Sequence, residues 1–485
     1  MTMEIQGPVR VRFAPSPTGF LHLGGVRTAI YNDLLRQKLG GAFILRIEDT
    51  DKERSDEAMT RQIQDALAWV GVVWDEGPFL QSERLPRHHE RAEELLAAGK
   101  AYRCFCTQEE LETQRAEAQK RGVSFRYPRT CLRLSKEDVE SRLSESRPFV
   151  IRFQMPDDNI RFQDMVRGDM DFPPDALDDF ILLRSDGNPT YHMSVVVDDI
   201  DMGITHVIRG EDHLSNTPKH VPLFQALGGQ VPAFGHLPLI LGPDKKRLSK
   251  RTGATSVEEF RGEGILPQAL YNFMALLGWS PGEDREILSR DEMIQLFSVD
   301  RLNASAAVFD REKLLWMNAQ YISRLSPQEL MPHLQPFLEP VGLADADPER
   351  LAAVVELYRT RARTLKEIAE LLVPYFQESL EYDAAACAKF FKDGELPALL
   401  EDLRDRYTAL PGFTKDALEA ELRALAEERG VKAGVLIHPV RMALSGAAGG
   451  PPLFDLVELM GRESTERKMT EFVGFLRAGG AVPQG

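Results

Sequence analysis

Four groups of residues in this 485-residue chain have types and spacing that could do chemistry. The first is Arg12-Phe-Ala-Pro-Ser-Pro-Thr-Gly-Phe-Leu-His22-Leu-Gly24-Gly25. A β-rich run, Val9 to Phe13, leads into a Pro/Gly turn and then a helix that starts at His22 and two glycines. Backbone N–H groups and the positive dipole end at such a start favour phosphate. Glycines let a flat base lie close to the main chain, and an imidazole can donate to a phosphate oxygen. By itself His-Leu-Gly-Gly is more often a tight turn with a surface histidine. Its place after a strand and the Pro-Ser-Pro-Thr-Gly loop favours the nucleotide reading.

The second group is Gly242-Pro-Asp-Lys-Lys-Arg-Leu-Ser-Lys250-Arg251, with five basic side chains between 245 and 251. Cations on a mobile loop offset charge on a transferring phosphoryl or nucleotidyl group; the alternative is a solvated surface run. A Walker loop is absent, since G-x-x-x-x-G-K-[ST] occurs nowhere. The third group is Cys104-Phe-Cys106 with Cys131. Zinc takes four Cys or His ligands, so the choice is between a metal site and three buried thiols. The fourth is Arg359-Thr-Arg361-Ala-Arg363 with Lys366, a basic stretch without an acid. Arginine can bond base edges and stack on them; the alternative is a solvated helix face.

The elements that must position these groups follow from periodicity. Helical spacing of Val26, Ile30, Leu34, Leu35 and Leu39 predicts a helix over 24–39, stopped by Gly40 and Gly41. Phe43 to Ile47 predicts a second strand. Ser55 is the expected N-cap of a helix with the stripe Met59, Ile63, Leu67 and Val70. Strand, helix, strand, helix implies a parallel sheet. From 88 to 189 the chain reads as an α+β insertion with its own small core and a charged helix over 108–121. A β-rich pattern is expected to return at Thr190 to Val197 and Thr205 to Arg209. Beyond 323, strand signals nearly vanish and helical stripes such as Leu351, Val354, Val355 and Tyr358 recur, which predicts two helical bundles.

Composition sets limits. There are 59 basic and 75 acidic side chains, a net charge of −16. This argues against non-specific DNA binding, which needs a broadly basic surface. No segment approaches the roughly 18 apolar residues that span a bilayer, and Met1 to Phe13 has no signal-peptide core. Only four cysteines are present, Cys387 being the fourth. A cytoplasmic protein with reduced thiols is expected, without a membrane partner.

The first two groups resemble the HIGH motif (His22 to Gly25) and the KMSKS motif (Arg247 to Arg251) of class I aminoacyl-tRNA synthetases. With Arg46-Ile-Glu-Asp-Thr-Asp51, Tyr191-His, Val197-Asp-Asp199 and Val207-Ile-Arg-Gly-Glu-Asp212, the chain is similar to the glutamyl-tRNA synthetases of bacteria. The resemblance implies an α/β fold. A class I Rossmann-like catalytic domain carries an α+β insertion and is followed by all-α anticodon-binding domains. The implied boundaries are 1–87 and 190–241 for the catalytic halves, and 88–189 for an acceptor-end-binding insertion. A stem-contact domain with the KMSKS-type loop would span 242–323. Helical anticodon-binding domains would span 324–385 and 386–485.

The resemblance also implies roles. His22 and Lys250 would be catalytic. Ser16, His22, Gly24, Gly25, Arg247, Leu248, Ser249 and Lys250 would hold ATP with its Mg2+. Arg12, Ala14, Ser16, Glu48, Tyr191 and Arg209 would hold L-glutamate, the two arginines facing its side-chain carboxylate. Some relatives carry Asn where Val195 stands, so another group must meet the α-carboxylate. Arg361 would contact the anticodon of tRNA-Glu. One structural zinc would sit on Cys104, Cys106, Tyr127 and Cys131, since Arg133 replaces the histidine some relatives use. A monomer is expected.

Three look-alikes are set aside. Asp198 to Gly203 resembles a calcium loop, but its twelfth position is Arg209 instead of a bidentate Glu. Gly278-Trp-Ser-Pro-Gly282 spells a hydrolase elbow but follows a helical run and has Pro after Ser. His88 and His89 read as surface residues. A glutaminyl enzyme is disfavoured because its family's anticodon half is β-barrel. A non-catalytic tRNA-binding relative is disfavoured because His22, Glu48, Arg209 and Lys250 are all present.

Overall fold

The computed structural model describes residues 8–50, 56–123, 125–248, 256–382, 395–447 and 449–478. Two compact units divide the chain: Met1–Phe260 with Leu270–Arg311, and Arg261–Ala269 with Glu312–Gly485.

The first unit opens as the hydrophobic pattern demands. Strand β1 (Val9–Phe13) is followed by helix α1 (Leu23–Leu39), β2 (Gly41–Ile47), α2 (Glu57–Val70) and β3 (Glu76–Leu80). Gly40 stops α1 with a positive φ of 68°, whereas Gly41 already belongs to β2. Its lack of a Cβ lets β1 come close: a Cβ there would lie 1.9 Å from the Val9 carbonyl oxygen. The expected N-cap Ser55 lies outside the described residues. Asp56 caps α2, accepting from the Ala58 N–H.

Next come α3 (Leu85–Ala97), β4 (Ala101–Cys104), α4 (Gln108–Lys120), α5 (Lys136–Ser144), β5 (Val150–Phe153), β6 (Ile160–Asp164), β7 (Gly168–Phe172) and β8 (Phe180–Leu183). Strands β4, β5 and β8 form a separate antiparallel sheet. A small cluster of Tyr102, Cys104, Phe105, Tyr127 and Cys131 lies beside it. The hairpin β6–β7 instead joins the main sheet, so one stretch of chain feeds two sheets.

The chain then continues through α6 (Tyr191–Asp201), β9 (His206–Gly210), α7 (Thr217–Ala226) and β10 (Ala233–Leu237). The main sheet runs β3-β2-β1-β9-β10-β6-β7, parallel throughout except for β7. The chain steps outward from β1 through β2 and β3 on one side and from β9 to β10 on the other, where the earlier β6–β7 hairpin completes the sheet. The β1/β9 boundary is therefore a topological switch point, where open parallel sheets leave a crevice at the strands' carboxyl ends.

The strand expected over Thr190 to Val197 is helix α6. Its side chains Met193, Val195, Val196 and Val197 are all buried, at 0–1% exposure. A helix covered on nearly every side shows no polar stripe, so its β-branched run mimics a buried strand. Strand β9 follows where expected.

His88, expected at the surface, is fully buried, while His89 is exposed. The His88 ring docks α3 on the end of α6, its Nε2 2.8 Å from Asp198 Oδ1. Gln81 Nε2 and Arg84 Nε donate to the same carboxylate at 2.9 and 2.7 Å. These acceptors lie far away in sequence, which leaves the pair of histidines looking like a polar surface run.

In the second unit every assigned element among the described residues after 324 is helical. They include Pro327–Leu338, Pro348–Tyr358, Leu365–Leu372, Leu396–Ala409, Lys415–Glu428, Gly434–Ser445, Leu453–Met460 and Arg462–Arg477. The stripe Leu351, Val354, Val355 and Tyr358 is buried as expected. No helix among the described residues is long and apolar enough to cross a membrane.

Removing one member of a buried charged cluster strands the others, at a cost of about 3–5 kcal/mol. Asp198→Ala is expected to lower the urea stability of the first unit by about that amount, and His88→Ala by less. Equal, near-zero effects would show that α3 is held by its apolar face alone.

Candidate active site

The carboxyl ends of β1, β2 and β9 bring Arg12, Glu48 and Arg209 to one place. A cleft of about 740 Å3 opens above them. Its walls carry Arg12, Ala14, Ser16, His22, Gly24, Gly25, Glu48, Tyr191, Arg209, Arg247 and Leu248. Residues expected from segments over 230 positions apart thus meet in one crevice. Ser249 and Lys250 lie outside the described residues.

His22 is the N-cap of α1. Its Nδ1 accepts from the Gly25 N–H at 3.1 Å, so Nε2 is the atom left for a ligand. Burial lowers its pKa, and the nearby Arg247 cation adds to this. A Cβ on Gly24 would stand 3.0 Å from the His22 ring, and one on Gly25 2.9 Å from Leu21 Cδ1. Gly24 therefore makes room for the histidine and Gly25 for Leu21, and both expose the helix start.

At the floor, one carboxylate serves two arginines. Asp199 Oδ1 takes Arg46 Nη1 at 2.7 Å and lies 3.4 Å from Arg12 Nε. Arg46 also reaches Glu48 Oε1 at 3.3 Å. Burial raises the Glu48 pKa, with Arg46 and Arg12 opposing the shift. Asp198 and Asp199 are one residue apart on a helix, about 100° around its axis. One can therefore hold α3 while the other holds the cleft floor.

Arg209 is 5% exposed, yet no carboxylate among the described residues pairs with it. Its Nη1 donates to the Tyr191 hydroxyl at 3.2 Å, and its Nη2 to Thr217 Oγ1 at 2.8 Å and the His213 carbonyl at 3.3 Å. Its Nε donates to His236 Nε2 at 3.1 Å. Burial pushes the Tyr191 phenol up to about 12. It stays protonated and can donate onward to His213 Nδ1, 3.0 Å away. A buried cation met only by neutral acceptors retains its charge for a ligand.

Sequence reasoning gave no role to Asp212, although it closes the Val207–Asp212 motif, and missed His213; both also line the cleft. Their position just past the end of β9 was the available signal. It also missed Asp164 and His236 beneath Arg209, for which the sequence carries no signal because they meet only through sheet pairing.

Two further groups lie apart from the cleft. The Sγ atoms of Cys104, Cys106 and Cys131 all lie within 4.8 Å of one another. The Tyr127 hydroxyl is 3.1 Å from Cys104 Sγ and 3.6 Å from Cys106 Sγ. Three sulfurs and a phenol oxygen form a four-donor cluster, with the Arg152 guanidinium 4.3 Å from the Tyr127 ring centre. In the second unit, Arg361 occupies an exposed turn after the helix ending at Tyr358, not a helix face. Its neighbours Arg359 and Arg363 pair with Glu356 and Glu312. Among the described residues, Arg361 makes only a 3.3 Å bond, to the Gly450 carbonyl.

The catalytic domain described as "tRNA synthetases class I (E and Q)" matches residues 8–316. An "Anticodon binding domain" matches residues 329–473. The glutamate–tRNA ligase 2 of Koribacter versatilis is 47% identical over 473 residues, covering 97% of this chain and 98% of that protein. The glutamate–tRNA ligase of Geobacter sulfurreducens is 46% identical over 469 residues, covering 96% and 99%. A crystal structure of a glutamate tRNA ligase from Elizabethkingia meningosepticum, in complex with its amino acid, superposes with a TM-score of 0.89 at 37% identity. It covers 97% of this chain and 100% of that one.

Proposed function

Since the chain belongs to the glutamate–tRNA ligase family of class I aminoacyl-tRNA synthetases, we propose that it charges tRNA-Glu with L-glutamate at the expense of ATP. The observation that carries this is the buried Arg209, unpaired with any described carboxylate and close to Arg12 and Glu48 in one cleft. Two guanidinium groups attract the γ-carboxylate of glutamate and give no comparable gain with the neutral amide of glutamine. Glu48 accepts the substrate ammonium, and Ala14, Ser16 and Tyr191 complete the pocket. Val195 is buried and apolar, so it offers the α-carboxylate no hydrogen bond.

ATP lies at the start of α1, with Ser16, His22, Gly24, Gly25, Arg247 and Leu248 around it; Ser249 and Lys250, outside the described residues, complete the expected set. The α-carboxylate oxygen attacks the α-phosphorus, and the bond from that phosphorus to the bridging oxygen breaks. Glutamyl-adenylate and pyrophosphate result. A hydroxyl of the 3′-terminal adenosine of the tRNA then attacks the acyl carbon, and AMP leaves. His22 donates to phosphate oxygen and Lys250 offsets the charge that develops. Positioning and charge supply the rate, without a protein nucleophile. Mg2+, arriving on the triphosphate, would supply charge neutralisation of the phosphate oxygens.

The domain boundaries implied by the sequence remain part of this reading. Residues 88–189, apart from the β6–β7 hairpin that joins the main sheet, face the acceptor end, 242–323 the stem, and 324–385 and 386–485 the anticodon. Arg361 reads anticodon bases from its exposed turn. The protein acts in the cytoplasm as a monomer.

A structural zinc also fits this chain. In a tetrahedral site with bonds of about 2.3 Å, sulfurs sit close to 3.8 Å apart. Cys106 and Cys131 are separated by 3.6 Å, and Tyr127 supplies the fourth donor. Zinc there would tie β4 to the turn around Cys131. Elemental analysis of protein purified without chelator is expected to find about one zinc per chain in wild type and less in Cys131→Ser. Metal-free wild-type protein would leave three free thiols, those of Cys104 and Cys131 buried and that of Cys106 half-buried.

The activity is tested by charging purified tRNA-Glu and tRNA-Gln with labelled glutamate or glutamine. Glutamate on tRNA-Glu is expected, with Lys250→Ala falling by several orders of magnitude and Arg361→Ala raising the tRNA KM. Glutamate on both tRNAs would make the enzyme non-discriminating. Glutamine charging would refute the arginine pocket. Tight tRNA binding without any charging would identify a non-catalytic relative.

A further inference from the structure

Beneath the cleft, Asp164 at the end of β6 and His236 in β10 form a buried pair, at 2% and 0% exposure. Asp164 Oδ2 lies 2.5 Å from His236 Nδ1. Its Oδ1 accepts from the N–H groups of Val166 and Arg167 at 2.9 Å each, and from the His236 N–H at 3.2 Å. The other face of the ring meets Arg209 Nε at 3.1 Å.

The proton positions are dictated by donor chemistry. An ionised carboxylate can only accept and a guanidinium N–H can only donate. His236 must therefore carry its proton on Nδ1 and offer the Nε2 lone pair to Arg209. Thr217 Oγ1 closes the triangle, 2.8 Å from Arg209 Nη2 and 3.0 Å from His236 Nε2. The bonds to His236, Tyr191, His213 and Thr217 use four of the five guanidinium N–H groups. One Nη1–H is left for a ligand.

We propose that Asp164 is a positioning residue for Arg209: by fixing the His236 tautomer it orients the guanidinium while keeping any carboxylate off it, and so sustains selection of glutamate over glutamine. The inference rests on the glutamate site described above and adds residues that no part of that site's motif contains. An imidazole interposed between Asp164 and Arg209 carries the aspartate's orienting effect. It spares the arginine the direct ion pair that would compete with substrate. Orienting shells of this kind set ligand geometry from one bond further out.

The tests use the full-length protein. In Asp164→Asn, Oδ1 keeps the acceptor duties of the turn, while the amide nitrogen replaces Oδ2 and donates to His236 Nδ1. The ring proton then moves to Nε2 and opposes the Arg209 Nε–H, donor against donor. A hydrogen bond to a charged group is worth about ten- to a hundredfold in affinity. The glutamate KM of tRNA-Glu charging is expected to rise by that factor and the glutamate-over-glutamine ratio to fall, with ATP and tRNA KM within about twofold of wild type.

His236→Gln places a carbonyl near the Nε2 position. The double variant Asp164→Asn/His236→Gln is therefore expected to recover most of the glutamate KM lost in Asp164→Asn. A merely structural role for Asp164 gives no such rescue. Should Asp164→Asn fail to fold, His236→Leu against His236→Gln makes the same comparison, only the leucine raising the glutamate KM.

Nitrogen NMR of 15N-histidine-labelled protein reads the tautomer without any activity assay: Nδ1–H in wild type, Nε2–H in Asp164→Asn. An unchanged tautomer, an unchanged glutamate KM in Asp164→Asn, or absence of rescue would overturn the proposal. Failure of wild type to charge glutamate would instead refute the substrate reading, while the tautomer measurement still decides the role of Asp164.

Discussion

Guanidinium groups buried at the carboxyl ends of adjacent parallel strands constrain everything around them. A charge withdrawn from water costs several kcal/mol unless it is paired or hydrogen-bonded. The catalytic unit meets this demand in two different ways. Arg12 and Arg46 share the carboxylate of Asp199. Among the described residues, Arg209 meets only neutral acceptors: His236, Tyr191, His213 and Thr217. Two arginines that face the same proposed substrate carboxylate therefore differ in how much charge they have left to give it.

That difference explains several features of the fold. Helix α6 has to end with Asp198 and Asp199 side by side, one directed at the Gln81–Arg84–His88 group and the other at the cleft floor. Packing of α3 and alignment of Arg12 thus depend on the same helix terminus. On the other side of the switch point, the β6–β7 hairpin extends the main sheet and delivers Asp164 beneath β10. A segment that otherwise forms a separate small sheet also supplies a buried acid to the site. The proposed nucleotide side is simpler: an open helix start, Gly24 clearing space for His22, and a basic segment reaching the cleft at Arg247.

Much of the site was legible from local spacing. Strand β1, helix α1 and strand β2 carry their own punctuation, so the placement of His22 at a helix start follows from the pattern. Family resemblance added Arg12, Glu48, Tyr191 and Arg209. Illegible were the features decided by distant partners. The 190–197 run has the β-branched composition of a strand, but its surroundings cover it on all sides and it winds as α6. His88 looks like a surface residue until Asp198, 110 positions later, is brought against it. The Asp164–His236 pair spans 72 positions, joins two strands that are not consecutive, and carries no motif. Ser55 and Asp56 are both good caps, and no spacing rule separates neighbours of equal propensity.

The unequal charge compensation of the two arginines can be measured directly. Arg12→Leu and Arg209→Leu are compared in tRNA-Glu charging for the ratio of kcat/KM with glutamate to kcat/KM with glutamine. The larger loss of ratio is expected for Arg209→Leu, because its charge is not already shared with a protein carboxylate. Equal losses, or a larger loss for Arg12→Leu, would contradict the view that the carboxylate-free arginine governs the choice of amino acid.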